Sequence, residues 1–201
     1  MIKALILHEY AASGNCYKIR LTAALLGIAL ERRDYDIRKG ETRTDAFLER
    51  VNANGRIPVL QIDERFLPES NAACVWLAHG SALIPADRFD HADMLRWMFF
   101  EQYNHEPNVA TLRFWRLNDV AAEPGAVSAK RAAGLAALAL MDRHLMERAW
   151  LVGEGASLAD ICLFAYTHVA HEGGFDLSPY PALRGWLDRV AALPGFVGMD
   201  A

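Results

Sequence analysis

The sequence predicts an α/β domain of order βαβαββα on a four-stranded mixed sheet, followed by an all-α helical domain. Three observations carry this. Short apolar runs alternate with helical stretches through residues 1–80. Two strand-like runs, Val59 to Ile62 and Arg65 to Leu67, flank Asp63-Glu64 as a tight hairpin. From His91 onward the apolar spacing is helical throughout, with no alternation of period two.

Taken in order, Ala4 to His8 reads as a buried strand and Asn15 to Leu26 as a helix ended by Gly27. Leu30 to Ile37 reads as a second strand and Asp45 to Asn52 as a short helix. After the hairpin, Ser70 to His79 closes the unit as a third helix, stopped by Gly80. The first two strands pair in parallel through a right-handed crossover, and the hairpin adds antiparallel strands. The pattern changes after Ile84-Pro85-Ala86-Asp87, so residues 81–90 are expected to form a linker and residues 91–201 the helical domain. There, Ala92 to Asn118 is expected to be a long helix kinked near Pro107, with Asp119 to Val127 a loop around Glu123-Pro124-Gly125. Ser128 to Arg148, rich in Ala, Ser157 to His171 and Pro181 to Leu193 complete the helices. Ser157-Leu158-Ala159-Asp160 has the pattern of a capping box, which assigns Asp160 a structural role.

Bulk properties narrow the function. With 201 residues the chain can bury a proper core, and 53% of them are apolar. Lys plus Arg number 21 against 25 Asp plus Glu, a balance that argues against a nucleic-acid surface or a polybasic membrane patch. Met1-Ile2-Lys3 leads straight into a strand-like run, unlike a secretion signal, and no apolar segment is long enough to span a bilayer, so a cytoplasmic location is expected. The three cysteines, Cys16, Cys74 and Cys162, are scattered: they have neither a disulfide framework nor a metal-ligand spacing, and no metal is expected. Cys74 and Cys162 sit in apolar helical stretches and read as buried side chains.

Chemistry concentrates at three places. Ser13-Gly14-Asn15-Cys16-Tyr17-Lys18 lies between the first strand and the first helix, where a hydroxyl and the positive end of a helix suit an anion. In Arg56-Ile57-Pro58-Val59-Leu60, Pro58 opens a strand and the Ile57–Pro58 bond is a candidate cis bond, an arrangement that turns the Ile57 amide and carbonyl toward an extended, peptide-like ligand. Pro68-Glu69-Ser70-Asn71 opens the third helix. Each has a bland alternative: Ser13 and Ser70 as plain helix caps, Pro58 as a turn former, Arg56 as a solvated surface cation.

With these motifs in register, essentially the whole chain resembles the cytosolic glutathione S-transferases, of bacterial Ser-type kinds such as theta, beta and nu, among which the residues leave the class open. The resemblance carries Gly55 to Leu60 as the cis-proline segment of a thioredoxin-like first domain, Glu69-Ser70 as the start of its third helix, and Ser157 to Asp160 as the second domain's capping motif. It implies that glutathione is the co-substrate. Ser70 and the helix start would take the γ-glutamyl carboxylate, Glu69 the amino group, and Arg56 the glycyl carboxylate. Ser13 would donate to the glutathione sulfur, with Asn15 next in line for that role. A free thiol titrates at about 8.5, and each unit of depression requires about 1.4 kcal/mol of preferential thiolate stabilisation.

Ser13 to Cys16 also falls where a thioredoxin carries Cys-x-x-Cys, with Ser in the attacking place, which argues against dithiol chemistry by the chain's own cysteines. Cys16, near a helix start, is a candidate for a lowered pKa, although a structural role is the simpler reading. The resemblance further implies an electrophile pocket facing the loop after the first strand, with Tyr10, Trp97, Tyr103, His105, Phe114 and Trp115 as candidate aromatic lining and His105, beside Glu106, as a candidate acid or base. Most such aromatics on an amphipathic helix are core. It also implies a homodimer that buries the third helix of one subunit against the second domain of the other. The leading expectation is therefore transfer of a small hydrophobic electrophile to the glutathione sulfur. The alternatives are glutathione-dependent disulfide reduction at the same site, or a binding and assembly module that kept the scaffold and lost turnover.

Overall fold

The computed structural model describes residues 4–201; Met1-Ile2-Lys3, read above as leading into the first strand, lie outside the described residues. Contacts divide the chain into two compact units, the first reaching to Ser81 and regaining Pro194–Ala201, the second Ala82–Leu193.

The first unit contains β1 (Leu5–Glu9), α1 (Gly14–Leu25), β2 (Glu31–Asp34), α2 (Asp45–Arg50), β3 (Val59–Ile62), β4 (Arg65–Pro68) and α3 (Ser70–Leu77). The sheet order is β2-β1-β3-β4. Leu7 on β1 faces Arg32 on β2 in a parallel pairing and Leu60 on β3 in an antiparallel one. A central position explains why β1 is an apolar run with Ile6 and Leu7 buried, whereas edge strand β2, Glu31-Arg32-Arg33-Asp34, is exposed and charged along its length. β2 is shorter than the run expected from Leu30 to Ile37. The Asp36 carboxylate accepts from the Arg38 amide at 3.0 Å and starts a 3₁₀ turn over Ile37–Lys39, which ends the extended backbone. Helix α1 ends as its Gly27 suggests. Gly27 has φ +65°, and the Ile28 amide reaches the Ala23 carbonyl at 2.8 Å, closing a Schellman motif.

The second unit contains α4 (Arg88–Phe100), α5 (Glu106–Leu117), α6 (Pro124–Leu145), α7 (Leu158–Thr167) and α8 (Pro181–Ala191). Three boundaries differ from the sequence reading. Helix α4 begins before Ala92 because the Asp87 carboxylate caps it, accepting from the Phe89 and Asp90 amides at 2.8 and 3.0 Å. The long helix expected from Ala92 to Asn118 with a kink near Pro107 is divided just before that proline by a π-helical turn, Glu101–His105. Pro107, in the first turn of α5, has no amide to return to the preceding turn, and the wider turn takes up the mismatch. The loop expected from Asp119 to Val127 is shorter, since Pro124 suits a first helical turn and starts α6.

Helix α7 is buried at every position from Leu158 to Thr167. It starts with the expected capping box, whose Asp160 carboxylate accepts from the Ser157 amide at 2.9 Å. The same carboxylate accepts from the Ser157 hydroxyl, the Leu151 amide and the Trp186 indole at 3.0, 3.0 and 2.8 Å. Burial pushes its pKa up, against the pull of these donors. The segment Pro194–Ala201, expected to belong with residues 91–201, packs with the first unit instead. Its carbonyls are the reason: Val197 accepts from the Tyr17 hydroxyl at 2.7 Å and Met199 from Arg20 at 2.8 Å. No helix among the described residues is long and apolar enough to cross a membrane.

Candidate functional site

The β1–α1 connection is held from below. Glu9, fully buried at the end of β1, pairs with Arg20 at 3.3 Å and with Arg32. Arg20 also donates to the Ala11 carbonyl at 3.0 Å, so this ion pair fixes the loop that leads into Ser13. Ser13 is the N-cap of α1, with extended backbone, its amide bonded to the Tyr10 carbonyl at 2.9 Å. Its Oγ accepts from the Cys16 amide at 3.4 Å, longer than a strong N–H···O bond, and the half-buried hydroxyl keeps its own proton for another acceptor.

Cys16 behaves oppositely to the lowered pKa considered from its place near a helix start. It is fully buried, its Sγ accepts from the Tyr10 amide at 3.4 Å, and desolvation pushes the thiol up to about 12. Burial outweighs the helix end here, and Cys16 is a packing residue. Cys74 and Cys162 are buried as well, and none of the three is joined in a disulfide.

The Ile57–Pro58 bond is cis and stands directly before β3. Gly55 turns the chain into it with φ +63°. The left-handed backbone angle favours glycine; a Cβ there would crowd the Thr42 carbonyl at 3.0 Å and displace the exposed Arg43 guanidinium. Arg56 is exposed, and its carbonyl accepts from the Asn52 side chain at 2.9 Å.

Glu69 precedes α3 with φ +71° and ψ 112°, outside the ordinary regions for a residue with a Cβ, and its exposed side chain makes no capping bond. Backbone strain of this kind concentrates at ligand-binding positions. Ser70 follows as the first residue of α3 and is buried. Its hydroxyl donates to Asn15 Oδ1 at 3.4 Å, which joins the starts of α1 and α3. Beneath them lies Lys18, which the sequence reading treated only as part of the first helix. It is fully buried, and its Nζ donates to Ser70 Oγ at 3.4 Å and Asn71 Oδ1 at 3.2 Å.

The residues expected to line an electrophile pocket divide. Tyr10 is half-buried in the first unit, with the Arg38 guanidinium 6.0 Å from its ring centre. Trp97 and His105 are buried in the helical unit. The Trp97 ring packs edge-on against Phe100 and His144 at 5.3 and 4.8 Å, and His105 Nε2 lies 3.0 Å from the Thr167 hydroxyl within the buried face of α7. Tyr103 is 84% exposed and Phe114 41% exposed, and half-buried Trp115 lies under the Lys130 ammonium at 5.7 Å.

A mixed sheet with a cis-proline before its third strand, two helix starts joined through Asn15 and Ser70, and a separate helical unit together define a thioredoxin-like protein with an all-helical second unit. Residues 12–79 match the family Glutathione S-transferase, N-terminal domain, and residues 108–194 match Glutathione S-transferase, C-terminal domain. A crystal structure of a glutathione S-transferase from Pseudomonas fluorescens is 44% identical, covers 98% of this chain and 99% of its own, and superposes with a TM-score of 0.94. A possible glutathione S-transferase from Rhodopseudomonas palustris is 40% identical over 99% of this chain and 91% of its own, also at 0.94. Elongation factor 1-gamma 3 of Oryza sativa is 29% identical over 80% of this chain, which spans 39% of that protein. The chain belongs to the glutathione S-transferase family.

Proposed function

We propose that the chain is a glutathione transferase of the Ser type, which binds glutathione in its first unit and activates the thiol for attack on a small hydrophobic electrophile. The observation that carries this is the hydrogen bond between Ser70 and Asn15, which sets two helix starts side by side. One start is capped by Ser13 and the other is opened by strained Glu69. A helix start favours an anion, which suits a ligand whose carboxylate lies at the start of α3 and whose thiolate forms beside the start of α1.

In this reading the amides at the start of α3 and the Ser70 hydroxyl take the γ-glutamyl carboxylate, and the Glu69 carboxylate takes the neighbouring ammonium. The Ile57 amide and carbonyl pair with the cysteinyl peptide, and exposed Arg56 takes the glycyl carboxylate. Ser13 donates its free proton to the sulfur, and Asn15 offers a second donor nearby. Stabilising the thiolate and holding it in place supply the rate, with no covalent enzyme intermediate. Cys16, buried and protonated, contributes no thiolate of its own. Tyr103 and Phe114 expose apolar surface on the second unit, and the working form is a cytoplasmic homodimer.

The elongation factor 1-gamma relatives favour a second reading, a module that binds and assembles without turnover. Titration calorimetry of glutathione into wild type and Ser70→Ala, beside conjugation assays with an activated aryl chloride and reduction assays with a mixed disulfide, separates the two. The transferase reading expects binding that weakens about tenfold in Ser70→Ala, and conjugation. Binding with neither conjugation nor disulfide reduction identifies the assembly module, and no binding by folded wild type overturns both.

A further inference from the structure

Lys18 is three residues past Asn15 on α1 and has no exposed surface, a rare position for a lysine. Its stem is packed between α1 and α3, and its Nζ donates to two oxygens in the first turn of α3, Ser70 Oγ at 3.4 Å and Asn71 Oδ1 at 3.2 Å. An ammonium has three donors and no acceptor, whereas a hydroxyl has one proton and two lone pairs. Lys18 therefore occupies a lone pair of Ser70 and leaves the Ser70 proton pointing to an acceptor, Asn15 Oδ1 at 3.4 Å.

We propose that Lys18 is a positioning residue for the γ-glutamyl carboxylate, fixing Ser70 as a hydrogen-bond donor and placing a positive charge beneath the start of α3. This rests on the glutathione-binding reading above. A carboxylate is a stronger acceptor than an amide oxygen, so its arrival turns the Ser70 proton from Asn15 to the ligand while the Lys18 bond stays in place. The chained bond from Lys18 through Ser70 strengthens the outer one. The same exchange releases Asn15 Oδ1 two residues from Ser13, which joins occupancy of the carboxylate end to the geometry at the thiol end.

The test compares two ligands, glutathione and its analogue lacking the γ-glutamyl α-carboxylate, γ-aminobutyryl-cysteinyl-glycine. Lys18→Met is expected to weaken glutathione binding about tenfold or more, with affinity for the analogue within about twofold of wild type, and Lys18→Arg to recover part of the loss. A purely structural lysine would lower both affinities by the same factor, and that result would overturn the proposal. A measurement on wild type needs no variant to fold: the ¹⁵Nζ resonance of Lys18 is expected to shift when glutathione binds and to hold still with the analogue. Equal shifts, or none with either bound ligand, would overturn the role of Lys18. Absence of glutathione binding by folded wild type would instead overturn the transferase reading beneath it.

Discussion

Replacing Asp160 by Ala is expected to cost the protein about 3–4 kcal/mol, a large share of the 5–15 kcal/mol that holds a typical domain folded. The carboxylate is fully buried and accepts from four donors: the Leu151 amide and Trp186 indole on Oδ1, the Ser157 amide and hydroxyl on Oδ2. A buried donor left without an acceptor costs about 1–3 kcal/mol, so the Leu151 and Trp186 groups together account for roughly 2–6 kcal/mol. Loss of the cap adds about 1 kcal/mol. Against this, the variant no longer buries a carboxylate whose pKa burial has raised, which returns part of the total. In a protein of this size 1 kcal/mol moves the melting temperature by about 2–4 °C, so calorimetry should record a fall of roughly 6–16 °C. Asp160→Asn tests the division between oxygens. Its single oxygen can serve the Leu151 and Trp186 donors while its amide donates to the Ser157 hydroxyl, stranding only the Ser157 amide, and it should lose about half as much. A loss below about 1 kcal/mol for the alanine variant, measured by denaturant unfolding, would refute the reasoning.

Two further outcomes follow from buried groups. Desolvation is the first cause holding His8 below its ordinary value of 6.5, and its ring bonds the Tyr35 hydroxyl at 2.8 Å and Gln61 at 2.9 Å. A neutral form favoured by folding gives stability that is complete above 6.5 and is lost as the pH falls toward the folded value. Denaturant unfolding across this range should show stability falling with acid by up to about 1.4 kcal/mol per pH unit from this group, and His8→Gln should flatten the slope; equal slopes would contradict it. Cys16, pushed up to about 12 and buried, should resist iodoacetamide in the native protein at mildly alkaline pH and react only on unfolding. Rapid native alkylation of Cys16, located by peptide mass, would show an accessible thiolate and reopen dithiol chemistry.

The parts of the fold that read directly from the chain are those set by local chemistry. The apolar run at β1, the Asp63-Glu64 turn, Gly27 after α1 and the Ser157–Asp160 box each encode a start, stop or reversal within a few residues. The candidate site segments stand out for the same reason: Ser13, Ile57-Pro58 and Glu69-Ser70 all lie between a strand and a helix. What depended on contacts between distant segments was not legible. Lys18 looks like any lysine in a helix until α3 covers it and supplies Ser70 and Asn71. His105 beside Glu106 looks like an acid–base pair, yet packing turns it inward to Thr167. The Pro194–Ala201 segment joins the first unit through its own backbone carbonyls, acceptors that every residue carries and no sequence pattern marks.

The most direct measurement is an ultraviolet titration of the thiolate of glutathione bound to wild type and to Ser13→Ala, with the affinity of each measured alongside. A Ser13 hydroxyl that donates to the sulfur predicts a bound thiol depressed by about 1–2 units from its free value near 8.5, returning toward that value in Ser13→Ala with affinity retained. A bound thiol with the same depressed pKa in both proteins would contradict the assignment to Ser13 and move it to Asn15; a thiol that titrates at its free value in wild type would contradict thiol activation altogether.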